Sequence, residues 1–411
     1  MSNSKPAHAP MTQFAVVDDC LQVGGSPLTE VARRAGRTPF YAYDRSLITR
    51  RVELLRRHLP AEVHLHYAIK ANPMPEIVRH LGGLVDGLDV ASAGELRIAT
   101  ASGMKPELIS FAGPGKTDAE LAEATAAGIV VNLESEREME RIAALGGNRG
   151  ARPRVAVRVN PDFELKSSGM KMGGGPKQFG VDAERVPAML GRIGQLGLDF
   201  QGFHIFSGSQ NLRADAIAEA QEKTIELALK LAGYAPSPVR VLNIGGGFGI
   251  PYFPGELPLD IAAVGASLAR LLNGVRVRLQ QARIVIELGR YLVGEAGIYV
   301  CRVIDRKMSR GQVFLITDGG LHQHLAASGN FGQVIRKNYP VVVGNRVVGG
   351  RREIASVVGP LCTPLDLLAD NMEMAAADVG DLIVVFQSGA YGLTASPTAF
   401  LSHPAPAELL I

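Results

Sequence analysis

The feature that most limits the fold of this sequence is a regular alternation of short β-branched runs with helical patterns. Each apolar run is followed by a segment with helical spacing of its apolar residues, such as AGELRIATASG or DAELAEATAAG. The predicted strands begin near His64, Gly87, Leu108, Gly128, Arg154, Phe200, Val239 and Ala282. Strands that alternate with helices indicate parallel βαβ units, and eight such units close a barrel. The sequence therefore predicts an α/β fold with a (β/α)₈ barrel, and a doubly wound open sheet is the alternative.

The pattern changes after about residue 295, where short strands such as GIYVCRVIDRK and QVFLITDGG are separated by glycines and charged turns. This spacing is typical of an antiparallel β domain. The segment TQFAVVDDCLQVGG near the N-terminus also has the pattern of strands. We therefore expect residues 1–40 to join a C-terminal β domain of residues 291–411, with the barrel at 41–290.

The composition narrows the class of protein. The net charge is only +3 over 411 residues, so the basic surface of a nucleic-acid-binding protein is not expected. No run approaches about eighteen uncharged apolar residues, and neither a membrane span nor a targeting segment is expected. Cys20, Cys301 and Cys362 lack the close spacing of a zinc site or a disulfide framework. These features predict a reduced, cytoplasmic protein that does not bind a metal.

Polar residues and glycines follow the predicted strands at their carboxyl ends, where barrels carry their chemistry. The period-two pattern of HLHYAI places Lys70 at the end of the first strand, with a snorkelling surface lysine as the alternative. The other strand ends carry Asp89, Gly113–Lys116, Arg158, Asn160, Phe206, Ser207, Ser209, Gly245–Gly247, Glu287, Gly289 and Arg290. We expect these residues to converge on one rim of the barrel.

The glycines of NIGGGFG let backbone N–H groups approach a phosphate, and barrels often bind phosphate after the seventh and eighth strands. Arg290 adds a fixed positive charge beside them. A phosphate site, a lysine amine and a carboxylate are together the requirements of pyridoxal 5′-phosphate (PLP), in which the carboxylate keeps the pyridine nitrogen protonated. Glu287 is placed for that task. A tight turn for the glycines and a surface carboxylate for Glu287 are the alternatives.

Six segments resemble those of the fold type III PLP-dependent decarboxylases, which include the ornithine, arginine and diaminopimelate decarboxylases. They are YAIKAN, GLDVASAGEL, NIGGGFGIPY, ELGRYLVGEAG, GPLCTPLDLLA and SGAYG. Five segments are most similar to the exosortase-associated decarboxylases and to a branch that acts on a glutamyl group carried by an acyl carrier protein: FAGPGK, SGMKMGGGPKQFGVD, SGSQNL, GPLCTP and FLSHPAPAELL. The resemblance implies an α-decarboxylase with a PLP-binding barrel, a C-terminal β domain and a homodimer.

The resemblance also implies roles for individual residues. Lys70 would form the Schiff base with PLP. Cys362 would reprotonate the α-carbon in the site of the partner subunit, because a thiol can hold a proton at neutral pH and release it. A small core hydrophobe is the alternative for this cysteine. The implied cofactor-binding residues are Asp89, Arg158, Phe206, Ser209, Gly245, Gly246, Gly247, Glu287, Gly289, Arg290 and Tyr391.

The sequence departs from the family beside the cofactor. Phe206, in HIFSGSQ, stands where the family has a histidine that stacks on the cofactor ring. A phenyl face can still stack, so we expect the packing role to be kept and any proton relay to be lost. His204 lies two residues earlier and is interpreted as a structural histidine.

The sequence also departs from the family in the substrate region. The segment DGGLHQHLAASGNFG lacks the Arg-Pro-Ala-x-Tyr stretch of the diaminopimelate decarboxylases, and Thr363 replaces an acidic residue after the cysteine. A distal amine or carboxylate left unpaired in a dry site would cost several kcal/mol, which argues against diaminopimelate, lysine or ornithine. Candidates for binding another headgroup or a phosphopantetheine arm, with a solvated loop as the alternative, are Thr363, His322, His324, Arg336 and Lys337. Diaminopimelate decarboxylation, a racemase and a non-catalytic PLP-binding protein are the other hypotheses.

Overall fold

The computed structural model describes residues 7–147, 150, 152–163, 170–171 and 173–411. Ser168, Gly169 and Met172 of the SGMKMGGGPKQFGVD segment lie outside the described residues. The chain divides into two compact units. One consists of the chain up to Arg50, Pro251–Pro258 and Arg290–Ile411, and the other of Arg51–Ile250 and Leu259–Gly289. The first unit includes residues 41–50 and 251–258, which the sequence analysis assigned to the barrel.

Eight parallel strands of the second unit close into a barrel, which confirms the predicted fold class. The eighth strand pairs with the first, so that Glu287 lies opposite His66. The strands are nearly continuous apolar runs because a parallel barrel strand is buried on both faces. From first to eighth they are Val63–Ala68, Gly87–Val90, Ile109–Phe111, Val130–Leu133, Arg154–Asn160, Asp199–Ile205, Val241–Gly246 and Arg283–Leu288.

Helices alternate with the barrel strands along the chain, and some of them begin at side-chain N-caps. Ser92 accepts the backbone N–H of Glu95, and Thr117 forms a capping box with Glu120. These caps set the length of the loops that leave the second and third strands. The helices are Arg45–His58, Pro75–Gly82, Ala93–Ala101, Asp118–Ala127, Glu136–Gly147, Val186–Gln195, Ala214–Ala232 and Ile261–Arg278. None of the helices in the described residues combines the length and apolar character needed to cross a membrane.

The other unit is built on a mixed sheet. Phe40–Tyr43 pairs antiparallel with Gly297–Ser309 and parallel with Ala407–Leu410, and Gln312–Thr317 pairs parallel with Arg352–Val358. The antiparallel prediction is wrong for these two parallel pairings, because apolar runs reveal strands but not their direction. The remaining strands of this sheet are Val341–Val343, Leu367–Ala375 and Leu382–Val385.

The predicted N-terminal strands form a small sheet of their own. Its three strands are Val16–Val17, Cys20–Val23 and Ser26–Pro27, and the helix Leu28–Ala35 follows them. Leu21 and Val23 are buried in one apolar cluster with Val300 and Val384 of the large sheet. The N-terminal segment therefore joins this unit by side-chain packing and by backbone hydrogen bonds, such as that from the N–H of Leu21 to the carbonyl of Gly344 at 2.8 Å. It is the later strand Phe40–Tyr43 that extends the large sheet.

Candidate active site

The carboxyl ends of the first and eighth strands bring an amine and a carboxylate together. The first strand ends in the 3₁₀ turn Ile69–Ala71, which carries Lys70. Lys70 Nζ lies 3.7 Å from Oε1 of Glu287, and the lysine side chain is 47% exposed while the carboxylate is 6% exposed. Gly289 allows this approach, since a Cβ there would lie only 2.8 Å from the Cβ of Ala71. The rim thus presents an accessible amine beside a buried negative charge.

Glu287 is held in its ionised form by its neighbours. Nε2 of His204 lies 3.1 Å from Oε2, and the side-chain amide of Asn243 donates to the same oxygen at 3.4 Å. Burial opposes ionisation, but His204 and the charge of Lys70 outweigh it and lower the pKa of Glu287 well below its ordinary value. An anion in this position meets the requirement for an acidic partner of a protonated pyridine nitrogen.

The loop after the seventh strand has no room for side chains. Gly245 and Gly247 have φ angles of +73° and +70°, which residues with a side chain rarely adopt. A Cβ on Gly246 would collide with the carbonyl of Glu287, and a Cβ on Gly247 would collide with that of Gly208. The loop therefore forms a glycine cradle, a turn that packs against its neighbours so closely that it carries no side chain. Such a cradle fits the phosphate of PLP.

The loop after the sixth strand is fastened to this cradle. The backbone N–H of Asn211 donates to the carbonyl of Gly247 at 3.0 Å, and Gly249 donates back to the carbonyl of Asn211 at 2.8 Å. Ser209, the predicted phosphate ligand, precedes these contacts by two residues, in the short strand Gly208–Ser209. The structure thus brings Ser209 and the glycine loop together, as the sequence predicted.

A buried glutamine behind the cradle was missed by sequence reasoning. Gln221, on the helix Ala214–Ala232, lines a small cavity together with Ser207, Asn211 and Gly246. Its Oε1 atom is buried and has no hydrogen-bond partner among the described residues. The available signal was a polar residue at a core-facing position of this helix, one turn after Ile217.

Asp89, the last residue but one of the second strand, has a buried carboxylate. Its Oδ1 accepts a hydrogen bond from the hydroxyl of Ser110 at 2.5 Å and lies 3.2 Å from Nδ1 of His66. Its Oδ2 is buried with no hydrogen-bond partner in the described part of the chain. One oxygen of this predicted cofactor-binding residue therefore remains available to a donor.

Arg158 is held by a second carboxylate that sequence reasoning missed. Its Nη1 donates to Oε1 of Glu134 at 2.8 Å, and its guanidinium lies 4.9 Å from the ring centroid of Phe179. Glu134 also accepts the backbone N–H groups of Gly113 at 2.5 Å and Gly180 at 3.1 Å. Glu134 therefore joins the loops that follow the third, fourth and fifth strands and sets the position of Arg158.

The lysine of the Gly-Pro-Gly-Lys segment is a structural residue. Lys116 Nζ donates to the carbonyls of Gly113 and Asn132 at 2.7 and 2.8 Å and to Oε1 of Glu138 at 2.8 Å. Its side chain is 1% exposed. All three donor positions of the ammonium are used inside the protein, so Lys116 fastens the loop after the third strand.

Phe206 lies beside the candidate lysine. The centroid of its ring is 5.9 Å from Lys70 Nζ and 6.5 Å from the centroid of the His204 ring, which it meets edge-on. The phenyl group thus occupies the neighbourhood of the amine, where the resemblance predicted that it stacks on the cofactor.

Two predicted phosphate ligands lie in the other compact unit. Nη1 of Arg290 donates to the hydroxyl of Tyr252 at 2.9 Å. The guanidinium also lies 4.7 Å from the ring centroid of Tyr391. The two tyrosines therefore fix the orientation of Arg290 directly after the eighth barrel strand.

Cys362 lies on a turn that is shaped by Asp366. The thiol residue is exposed. Oδ2 of Asp366 accepts the N–H of Leu361 at 2.8 Å, and Oδ1 accepts the N–H of Leu321 at 2.6 Å. Thr363 closes the turn, since its hydroxyl accepts the N–H of Leu365 at 3.3 Å. The structure thus presents Cys362 to solvent on a braced turn, unlike the fully buried Cys301.

The candidate substrate residues 322, 324 and 336 are engaged within their own unit or buried. His324 is fully buried between the hydroxyl of Ser388, 2.8 Å from Nε2, and the N–H of Ala327, which donates to Nδ1. Burial lowers the pKa of His324 to about 3 and that of His322, which is also fully buried, to about 4. Arg336 donates to two backbone carbonyls and to the amide oxygen of Asn338.

Comparison with known proteins identifies the family of the chain. Residues 45–294 match the family described as pyridoxal-dependent decarboxylase, pyridoxal binding domain. The chain belongs to the fold type III PLP-dependent decarboxylases. This decarboxylase is 39% identical to the L-glutamyl-(BtrI acyl-carrier protein) decarboxylase of Niallia circulans, covering 91% of this chain and 88% of the relative. It is 34% identical to the diaminopimelate decarboxylase of Aquifex aeolicus, covering 96% and 91% of the two chains.

A solved structure leads to the same family. The diaminopimelate decarboxylase of Helicobacter pylori, complexed with L-lysine, superposes with a TM-score of 0.82 at 27% identity, covering 93% of this chain and 94% of that one. The protein is therefore a PLP-dependent carboxy-lyase that acts on an amino acid or an aminoacyl group, and the predicted family, cofactor and reaction class are confirmed.

Proposed function

We propose that this decarboxylase removes the α-carboxyl group of an aminoacyl group carried by an acyl carrier protein, or of a free amino acid, at the rim that holds Lys70. One observation supports the site above the others: Lys70 Nζ lies 3.7 Å from the buried Glu287, next to a glycine cradle that excludes side chains. An amine, an anion and a glycine turn that could bind a phosphate, all on one rim, are the set of groups that PLP needs.

Each residue has a defined task in this proposal. When bound, PLP supplies an electron sink for the charge left on the α-carbon as CO₂ departs. Lys70 holds the cofactor covalently, and Glu287 holds a proton on its pyridine nitrogen. Phosphate is bound by Ser209 and the glycine loop, and the family resemblance adds Gly289, Arg290 and Tyr391. Asp89, Arg158 and Phe206 orient the ring, and Arg158 is itself fixed by Glu134.

Cys362 supplies the proton that replaces CO₂ in this proposal. Its exposure on a turn braced by Asp366 supports a role outside the core. We propose a homodimer in which the thiol serves the site of the partner subunit. Such a homodimer would contain two identical composite sites, each built from residues of both subunits.

Mixed dimers test this arrangement. Cys362→Ala homodimers are expected to be slowed roughly 10²–10⁴-fold, since a positioned general acid contributes that much. Lys70→Ala homodimers are expected to be slowed roughly a thousandfold or more, because they lack the nucleophile that holds the cofactor. Co-expression with two different tags and purification over both gives a dimer with one intact composite site, whose expected CO₂ release is about half of the wild-type rate. A mixed dimer as inactive as its parents would show that Cys362 does not act across subunits.

The substrate proposal rests on Thr363, the residue next to Cys362 in the chain. Thr363 offers a hydroxyl where related enzymes that bind a distal amine have an acid, and that hydroxyl already accepts the N–H of Leu365. A distal ammonium would meet no carboxylate from this residue, which disfavours diaminopimelate. The relative from Niallia circulans is a decarboxylase of a glutamyl group on an acyl carrier protein, which supports a carrier-bound substrate for this chain.

A CO₂-release screen distinguishes these substrates. The purified holoenzyme is offered free L-glutamate, lysine, ornithine, diaminopimelate and a glutamyl group on an acyl carrier protein. We expect the carrier-bound group to be turned over at least about tenfold faster than diaminopimelate, because an unpaired distal charge costs more than 1.4 kcal/mol, or about a factor of ten. Efficient turnover of diaminopimelate would overturn the interpretation of Thr363. Bound PLP with no CO₂ from any substrate would favour a non-catalytic protein.

A further inference from the structure

We propose that His204 is a positioning residue that fixes Oε2 of Glu287, so that Oε1 remains directed to the pyridine nitrogen of PLP. The inference rests on the proposed function, since it assumes that Glu287 is the partner of that nitrogen. This role differs from the structural one predicted for His204, because a histidine on a barrel strand is most simply a packing residue.

The register of three neighbouring strands builds this arrangement. His204 on the sixth strand lies opposite Asn243 on the seventh, and the eighth strand carries Glu287 beside Gly246. Nε2 of His204 approaches Oε2 to 3.1 Å, and the amide of Asn243 reaches the same oxygen at 3.4 Å. Oε1 faces the rim, where Lys70 Nζ is 3.7 Å away. The two carboxylate oxygens therefore have different partners.

The imidazole of His204 faces the carboxylate of Glu287 through Nε2, which lies 3.1 Å from Oε2. His204 is 2% exposed, and its Nδ1 has no hydrogen-bond partner in the part of the chain that the structure describes. A proton on Nδ1 would be a buried donor without an acceptor, which is costly. A proton on Nε2 lies next to Oε2 of Glu287, 3.1 Å away, in a contact that falls short of regular hydrogen-bond geometry.

Asn243 connects this arrangement to the phosphate cradle. Its side-chain oxygen accepts the backbone N–H of Gly245 at 2.8 Å, while its side-chain nitrogen donates to Glu287. Because one end of the Asn243 amide contacts Oε2 and the other binds the N–H of Gly245, the carboxylate cannot turn without disturbing the first glycine of the cradle. The side-chain amide of Asn243 thus couples the position of the Glu287 carboxylate to that of the glycine cradle proposed to bind the phosphate.

Loss of His204 has a predictable consequence for the cofactor. Burial raises the pKa of a carboxyl group, and His204 is the largest of the contributions that lower it at Glu287. Without that donor the carboxyl group becomes easier to protonate and freer to rotate. The pyridine nitrogen would then lose the anion that stabilises its proton.

The test compares His204→Asn with His204→Gln. The glutamine amide can reach Oε2 of Glu287 as the imidazole does, whereas the asparagine amide is about one bond length too short. The readout is the ¹⁵N chemical shift of bound PLP labelled at the pyridine nitrogen, together with the dissociation constant of PLP measured by reconstitution of the apoenzyme. Glu287→Gln provides the reference shift for a nitrogen without an anionic partner.

We expect His204→Asn to move the ¹⁵N shift towards that of Glu287→Gln and to weaken PLP binding about tenfold to a hundredfold, while His204→Gln stays near wild type. Equal behaviour of the asparagine and glutamine variants, or a wild-type shift in both, would overturn the positioning role. Borohydride reduction of the wild-type holoenzyme is the separate control. If it labels no pyridoxyl group on Lys70, the proposed function fails, whatever the outcome at His204.

Discussion

Lys70→Ala is expected to lose covalently bound PLP and to slow CO₂ release roughly a thousandfold or more, because the variant lacks the nucleophile that holds the cofactor. The amine it removes is the one that lies 3.7 Å from Glu287. The visible absorption band of lysine-bound pyridoxal should disappear. In the wild-type protein, borohydride reduction and peptide mapping should find the pyridoxyl group on the peptide that contains Lys70.

One further variant separates covalent binding from charge, and a second is a control at a surface lysine. Lys70→Arg keeps a cation beside Glu287 but cannot form the bond, so it should also lose the absorption band. Lys230→Ala removes an exposed lysine from the helix Ala214–Ala232 and should leave band and rate unchanged. Recovery of the reduced pyridoxyl group on another lysine would contradict the assignment of Lys70.

The barrel could be predicted from the sequence because its signal is local. Each strand is a short β-branched run, and the observed strand Val63–Ala68 differs from the predicted HLHYAI by one residue at each end. Strand direction in the other unit is not a local property. Phe40–Tyr43 pairs with Gly297–Ser309 and Ala407–Leu410, which are distant in sequence, and no periodicity in FYAY indicates such partners.

The same distinction applies to the site. Lys70, Glu287 and the glycine loop could be proposed because each lies in a short motif whose chemistry is visible in isolation. Glu134 could not, since its role arises from partners at Gly113, Arg158 and Gly180, which only the closed barrel brings together. His204 was visible in the sequence, but its closeness to Glu287 depends on the register of the sixth to eighth strands.

Lys116→Met is expected to lower the free energy of unfolding by about 3–5 kcal/mol, the usual cost of removing one partner of a buried ion pair. The variant would leave the carboxylate of Glu138 buried without its cation and the carbonyls of Gly113 and Asn132 without a donor. Methionine fills much of the same volume, so the loss reports on charge and hydrogen bonding rather than on a cavity. Chemical unfolding followed by circular dichroism measures the difference.

Arg97→Met is the matched control because it breaks an ion pair of good geometry at the surface. Arg97 donates to both oxygens of Glu123, at 3.0 and 2.9 Å, but its side chain is 69% exposed. Solvent screens this pair, so its loss should cost at most about 1 kcal/mol. If Lys116→Met and Arg97→Met lowered the free energy of unfolding equally, the burial of the Lys116 ion pair would contribute nothing to stability. Lys116→Met/Glu138→Leu should recover only part of the loss, since the backbone N–H of Glu134 also depends on Glu138.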